Sequence, residues 1–149
     1  MKATWQKDHI RITSPKLTFL LGITSGTPKE VKAATLFPFI IIRSEKEHRD
    51  NPWLLTHERI HLQQQRETLL VGAFIIDLLE RLYARFVLKK SDQETYLWLS
   101  SEQEAYRNHH DPQYLTKRKT FARFRYIKNK KAFIFGKKSG EVIVADWQA

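Results

Sequence analysis

Five consecutive residues, His57-Glu58-Arg59-Ile60-His61, combine two imidazoles and a carboxylate at a spacing that suits metal chemistry. On a helix, positions i and i+4 leave the same face, so His57 and His61 can bind one ion while Glu58 sits beside them. A catalytic zinc takes three protein ligands and keeps one position open, so a third donor must come from elsewhere. The chain has no cysteine, which excludes thiolate zinc sites, iron–sulfur clusters, disulfide scaffolds and a cysteine nucleophile. A carboxylate is then the natural third ligand. Ser101-Glu102-Gln103-Glu104-Ala105-Tyr106, about 40 positions downstream, offers two. Glu102 and Tyr106 would share one helical face, and Glu104 would point about 200° away from Glu102, so only one glutamate can ligate comfortably. If Glu104 is not the ligand, it is expected as a solvent-facing charge.

Two neutral imidazoles and one carboxylate leave the metal a net positive charge, which acidifies bound water and polarises a carbonyl. Glu58 can take the proton from that water and pass it to a leaving amine, so hydrolysis of an amide bond is the expected reaction. Gln64 or Gln65 could orient a ligand or the substrate backbone, and Asp77 or Asp92 could accept a ligand histidine's second N–H. His109 and His110 offer extra ligands or oxyanion donors, but a His pair just before Asp111-Pro112 reads first as a helix C-terminus interacting with the dipole. His48 reads as solvated within a charged Ser44–Asp50 loop, and His9 as part of a mobile terminus.

His57-Glu58-x-x-His61 followed by Glu102-x-x-Ala105-Tyr106 resembles the gluzincin clan of zinc metallopeptidases, and the short chain most resembles the minigluzincins. The resemblance covers roughly residues 35–106. It implies a compact α+β zincin-like domain, zinc (Zn2+) held by His57, His61 and Glu102, Glu58 as general base, and a peptide or protein substrate. It also implies that Thr35–Arg43 is an edge strand against which the substrate pairs. Tyr106 departs from the pattern, since many relatives carry Asp there. A phenol can donate to a ligand or an oxyanion but cannot supply an anion's support.

Elements must position these groups. With 149 residues the chain suits one domain, and four Trp, five Tyr and nine Phe suffice for a packed interior. Leu17–Ile23, between Ser14-Pro15 and Ser25-Gly26-Thr27-Pro28, reads as a buried strand or a tucked loop. Thr35–Arg43 is rich in aromatic and β-branched residues, and Pro38 confines it to a sheet edge. Asp50-Asn51-Pro52 starts a helix that meets no breaker before Gly72. Leu69–Leu88 is the most apolar stretch, but Asp77, Glu80, Arg81 and Arg85 recur on one helical face and argue against a membrane span. It reads as an amphipathic or core helix whose apolar side could meet a second copy or a membrane surface. Ser91-x-x-Glu94 and Ser101-x-x-Glu104 both have the capping-box pattern.

The net charge of +10 resides in one place: Pro112–Gly140 holds ten Lys and Arg and no acid, while the rest of the chain is balanced. This basic segment, 112–149, is expected to pack on a single domain as an extension. Its helix would bury Leu115, Phe121, Ala122 and Phe124, and a hairpin would close the chain around Lys137-Lys138-Ser139-Gly140. That hairpin could instead add a strand to the active-site edge and block the cleft. Basic residues among aromatics have the composition of a nucleic-acid surface but show no such motif, so an anionic membrane surface or a solvated face fits better. The reading alternative to an enzyme is therefore a non-catalytic basic interaction module with a structural metal. Met1–Ile12 lacks the basic and apolar regions of a secretory signal, so a cytoplasmic chain, peripheral to a membrane at most, is expected.

Overall fold

A computed structural model describes residues 1–25, 31–135 and 142–145. Phe39–Ile42 forms a strand of four β-formers whose Ile40, Ile41 and Ile42 are all buried. A central position in a sheet accounts for this, because a strand covered on both faces has no need to alternate. In chain order the first strands are β1 (Lys2–Trp5), β2 (Ile10–Thr13), β3 (Ala33–Leu36) and β4 (Phe39–Ile42). They lie in the order β1-β2-β4-β3. β2 and β4 are parallel, with Ile10 opposite Phe39, and the outer pairs are antiparallel, with Lys2 opposite Thr13 and Ala33 opposite Ile42.

The expected single strand Thr35–Arg43 is thus two strands that turn at Phe37-Pro38, so Pro38 occupies a turn rather than an edge. β3 lies at one edge of the sheet and β1 at the other. Leu17–Ile23 is neither strand nor loop but part of a helix, α1 (Pro15–Ser25). Pro15 occupies its first position, and the Ser14 carbonyl accepts from both the backbone N–H and the hydroxyl of Thr18. A short apolar run does not by itself distinguish strand from helix. Residues 26–30 and 136–141, which contain most of the two turn signals, lie outside the described residues.

The charged stretch after β4 is also helical: Ser44 caps α2 (Glu45–Asp50) by accepting from the Glu47 N–H at 3.1 Å. His48 is consequently half-buried, not solvated. His9 is buried as well, with its Nδ1 2.8 Å from Asp8.

Helix α3 (Trp53–Glu67) lies against β3 and β4, and Leu62 joins Ile40 and Ile42 in the core. It stops at Thr68, where Leu69 and Leu70 take positive φ values of 54° and 59°, and α4 (Val71–Leu82) begins. A π-helical turn (Tyr83–Val87) extends α4. α5 (Asp92–Trp98) opens with the expected capping box at Ser91 and Glu94. α6 (Ser100–Asn108) follows after Leu99, so Ser91–Asn108 is two helices. The second box does not form: Leu99 is the N-cap, and Ser101 donates instead to Asp77 at 2.8 Å.

α4 is amphipathic with its faces reversed. Ala73, Asp77, Glu80 and Ala84 face inward at helical spacing, while Phe74, Ile75, Leu78, Leu79, Leu82 and Phe86 face outward. The basic segment repeats this reversal. Over residues 112–131 it forms two short helices, α7 (Tyr114–Lys117) and α8 (Phe124–Lys128), and of the four residues expected to pack inward Ala122 alone is buried. Phe121 and Phe124 are exposed, Leu115 is half-buried, and Arg118 and Arg123 turn inward.

Arg123 is 1% exposed. It donates to Asp77 at 2.5 Å, to Glu80 at 3.3 Å and to the Ser100 hydroxyl at 2.8 Å. Lys130 pairs with Glu80 and donates to the Trp98 carbonyl. The polar side of α4 therefore binds the basic segment. The terminal hairpin, β5 (Ala132–Phe135) with β6 (Val142–Ala145), pairs with itself as a separate sheet near α5. Its strands add nothing to the edge at β3, contrary to the strand-insertion expectation.

Candidate metal centre

α3 and α6 run antiparallel, as their contacts show: Trp53 stacks on His109 at one end, and Gln64 bonds the Ser101 carbonyl at the other. This pairing brings His57, His61 and Glu102 together. His57 Nε2 and His61 Nε2 are 3.1 Å apart, His57 Nε2 lies 3.4 Å from Glu102 Oε2, and His61 Nε2 lies 3.4 Å from Glu102 Oε1. A tetrahedral ion with bonds of about 2.0–2.1 Å separates its donors by about 3.3 Å, so the three atoms already stand at ligand spacing. Glu102 Oε2 is buried with no hydrogen-bond donor among the described residues. An orphaned buried carboxylate oxygen is costly in a folded chain and suits a cation.

The electrostatics favour positive charge at this point. Burial works against a charged His61, but the Glu102 carboxylate outweighs it and carries His61 up to about 10. Burial likewise opposes ionisation of Glu102, yet His61 and His57 hold its carboxyl well below the usual range. Glu102 also lies in the first turn of α6, where the helix dipole favours an anion.

The second nitrogen of each histidine is oriented from outside the triad. Gln64 donates its amide to Glu104 Oε2 at 2.9 Å and to the Ser101 carbonyl at 3.2 Å. Its carbonyl oxygen therefore faces His61 Nδ1 at 2.9 Å and keeps a proton there, so Nε2 is the nitrogen turned to the triad, where a cation would take the place of its proton. His57 Nδ1 lies 3.1 Å from His109 Nδ1. Burial and the neighbouring His57 and His110 lower His109 to about 3, which keeps it neutral and able to accept from His57. Neither Asp77 nor Asp92 serves here, since Asp77 pairs with Arg123 and Ser101, and Asp92 with Arg85.

Glu104 does not join the His57, His61 and Glu102 group, and it does not face solvent. It is 0% exposed and accepts from Arg118 at 2.5 Å, Tyr114 at 3.0 Å and Gln64. Arg118 also pairs with Glu67 at the end of α3. The glutamates two apart on α6 thus face different partners, Glu102 the two histidines and Glu104 the glutamine that holds His61.

Glu58 is buried, and its Oε2 accepts from the Thr35 hydroxyl at 2.7 Å. Thr35 belongs to β3, so the edge strand positions this carboxylate. Gln65 closes part of the same edge: its amide donates to the Thr35 carbonyl at 2.9 Å, and its oxygen accepts from the Phe37 N–H at 2.8 Å. Tyr106 stands edge-on to His57, ring centroids 4.6 Å apart, with Tyr96 beyond it. Burial and the Glu102 charge push both phenols up, so they keep their protons.

The residues singled out from sequence as ligands meet in one place, and Gln64 and Gln65 both have polar roles beside it. Thr35, Arg118 and Tyr114 had no local signal, and His109 read as a helix terminus. Comparison with family models, with curated proteins and with solved structures gives no match for this chain.

Proposed function

We propose that this protein is a zinc-dependent peptidase of zincin-like architecture, with His57, His61 and Glu102 as ligands and Glu58 as general base. The observation that carries the reading is the triangle of donor atoms 3.1–3.4 Å apart with a buried glutamate next in sequence to one of them. Bound at this triangle, zinc would acidify water and polarise a substrate carbonyl. Thr35 donates to Glu58 Oε2 and restrains the carboxylate, which leaves Oε1 as the acceptor for the water proton. The same carboxylate then returns the proton to the leaving amine. Tyr106 keeps its phenolic hydrogen and flanks His57, which suits it to donate to the oxyanion. A peptide in the cleft would run beside β3.

One observation favours the second reading, a structural metal in a non-catalytic module: Gln65 already occupies backbone groups of Thr35 and Phe37 along that edge. Glu58→Gln separates the two. As a peptidase, the variant should retain near-stoichiometric zinc and lose about 100-fold or more in turnover of a quenched-fluorescent peptide mixture. A wild type that binds zinc and cleaves no peptide in the mixture supports the module.

A further inference from the structure

The outward face of α4 and its π turn is apolar over roughly 24 Å, from Val71 to Val87. Leu78 is 54% exposed, Leu79 61% and Phe86 64%. The acids of this helix, Asp77 and Glu80, point inward and are met by Arg123 and Lys130. A helix with ion pairs inside and leucines outside is the reverse of a water-facing one, and an apolar face of this extent marks a contact surface.

The same ion pairs decide what borders that face. Arg123 also reaches the Ala73 carbonyl of α4, at 3.4 Å, so the stretch from Lys119 to Lys128 is held beside it. That stretch exposes Phe121, Phe124 and Ile127 together with Lys119, Arg125 and Lys128, and contains no acid. At the other end, the π turn leads into Lys89 and Lys90. Apolar side chains bordered by cations match the two layers of an anionic bilayer surface, acyl chains below and phosphates above. A second copy fits less well, because two-fold pairing would set cationic border against cationic border. No helix among the described residues is long and apolar enough to cross a membrane, so the face must lie along one.

We infer that the protein docks on anionic lipid bilayers through this face, with α4 in the plane of the interface, the apolar side chains among the acyl chains, and Lys119, Arg125 and Lys128 at the phosphates. The inference is independent of the metal site.

Flotation of the full chain with vesicles of phosphatidylcholine alone, or mixed equally with phosphatidylglycerol, tests it. Binding should be at least about tenfold stronger to the mixed vesicles. Leu78→Glu and Phe86→Glu should each weaken it about tenfold or more, with circular dichroism and thermal midpoint unchanged because both side chains are exposed. Lys119→Gln with Arg125→Gln should weaken it about fivefold per charge and flatten its salt dependence. Since the chain has no cysteine, an environment-sensitive dye on Leu79→Cys can report insertion, by a blue shift that the same dye on Lys46→Cys of α2 should lack. Three results overturn the inference: no binding of wild type to mixed vesicles, binding indifferent to Leu78→Glu and Phe86→Glu, or a solution dimer that Leu78→Glu dissociates and that leaves vesicles unbound.

Discussion

Gln64 acts on the candidate metal centre from outside the His57, His61 and Glu102 triangle. Its amide nitrogen is committed to Glu104 and Ser101, so its oxygen can only accept, and His61 must present Nε2 to the centre. Removing such a partner usually lowers metal affinity 10- to 100-fold. Gln64→Ala should therefore weaken zinc binding by about that factor in a chelator competition, while Gln63→Ala, one position away and outside this network, should not. The glutamine tract from Gln63 to Gln65 looks uniform in sequence, and its members differ only in what α6 and β3 place opposite them. His109 is the counterpart for His57: it ends α6 as its place before Asp111-Pro112 suggests, and it is also buried against Trp53, which sequence does not show.

Among the elements, α6 depends most on partners distant in sequence. Its N-cap, Leu99, has no side-chain acceptor, and Glu80 of α4 takes over by accepting from the Ser100 N–H at 2.9 Å and the Ser100 hydroxyl at 2.6 Å. The capped residue Ser100 lies two residues before Glu102, so α4 sets the position of the proposed third ligand. Burial opposes the Glu80 charge, but Lys130 and Ser100 outweigh it and hold the carboxyl below its ordinary value of 4.5. A lowered value means stability that is present above about pH 4.5 and is lost as the pH falls through the folded-state value. Asp77, raised by burial despite Arg123, works in the opposite sense and offsets part of this. The urea midpoint of wild type should fall between pH 6 and pH 3.5 more steeply than that of Glu80→Gln. Arg123→Met leaves Asp77 without its main partner and removes one of the cations beside Glu80, and should destabilise the fold by about 3–5 kcal/mol at neutral pH, measured by urea unfolding.

For the molecule as a whole, the candidate metal centre joins α3 to α6, and a ligand that binds only the folded chain stabilises it. Zinc at 100 times its dissociation constant contributes about 2.7 kcal/mol, which for a chain of this size raises the thermal midpoint by about 5–10 °C. Scanning calorimetry should show that rise in wild type and its absence in Glu102→Gln; an equal rise in both would place the zinc elsewhere. The basic segment acts at this scale too. Arg118 braces Glu104 and Glu67, while Arg123 and Lys130 brace α4, so these three cations serve the interior rather than an external partner. The net charge alone would assign them to the surface.

Sequence alone determined what was local. The i, i+4 histidines, the intervening glutamate, the capping box at Ser91 and the separation of Glu102 from Glu104 on a helix follow from helical period and cap chemistry. The tertiary structure decided which side of each element faces inward. Apolar patterning assumes that apolar residues are covered by the chain itself, and α4 and the basic segment break that assumption by pairing Asp77 and Glu80 with Arg123 and Lys130 inside. The division of Thr35–Arg43 at Pro38, the helix at Leu17 and the cap supplied by Glu80 likewise depend on neighbours remote in sequence. Buried polar groups are satisfied by whichever partner the packing brings within reach, and no window of sequence contains both members of such a pair.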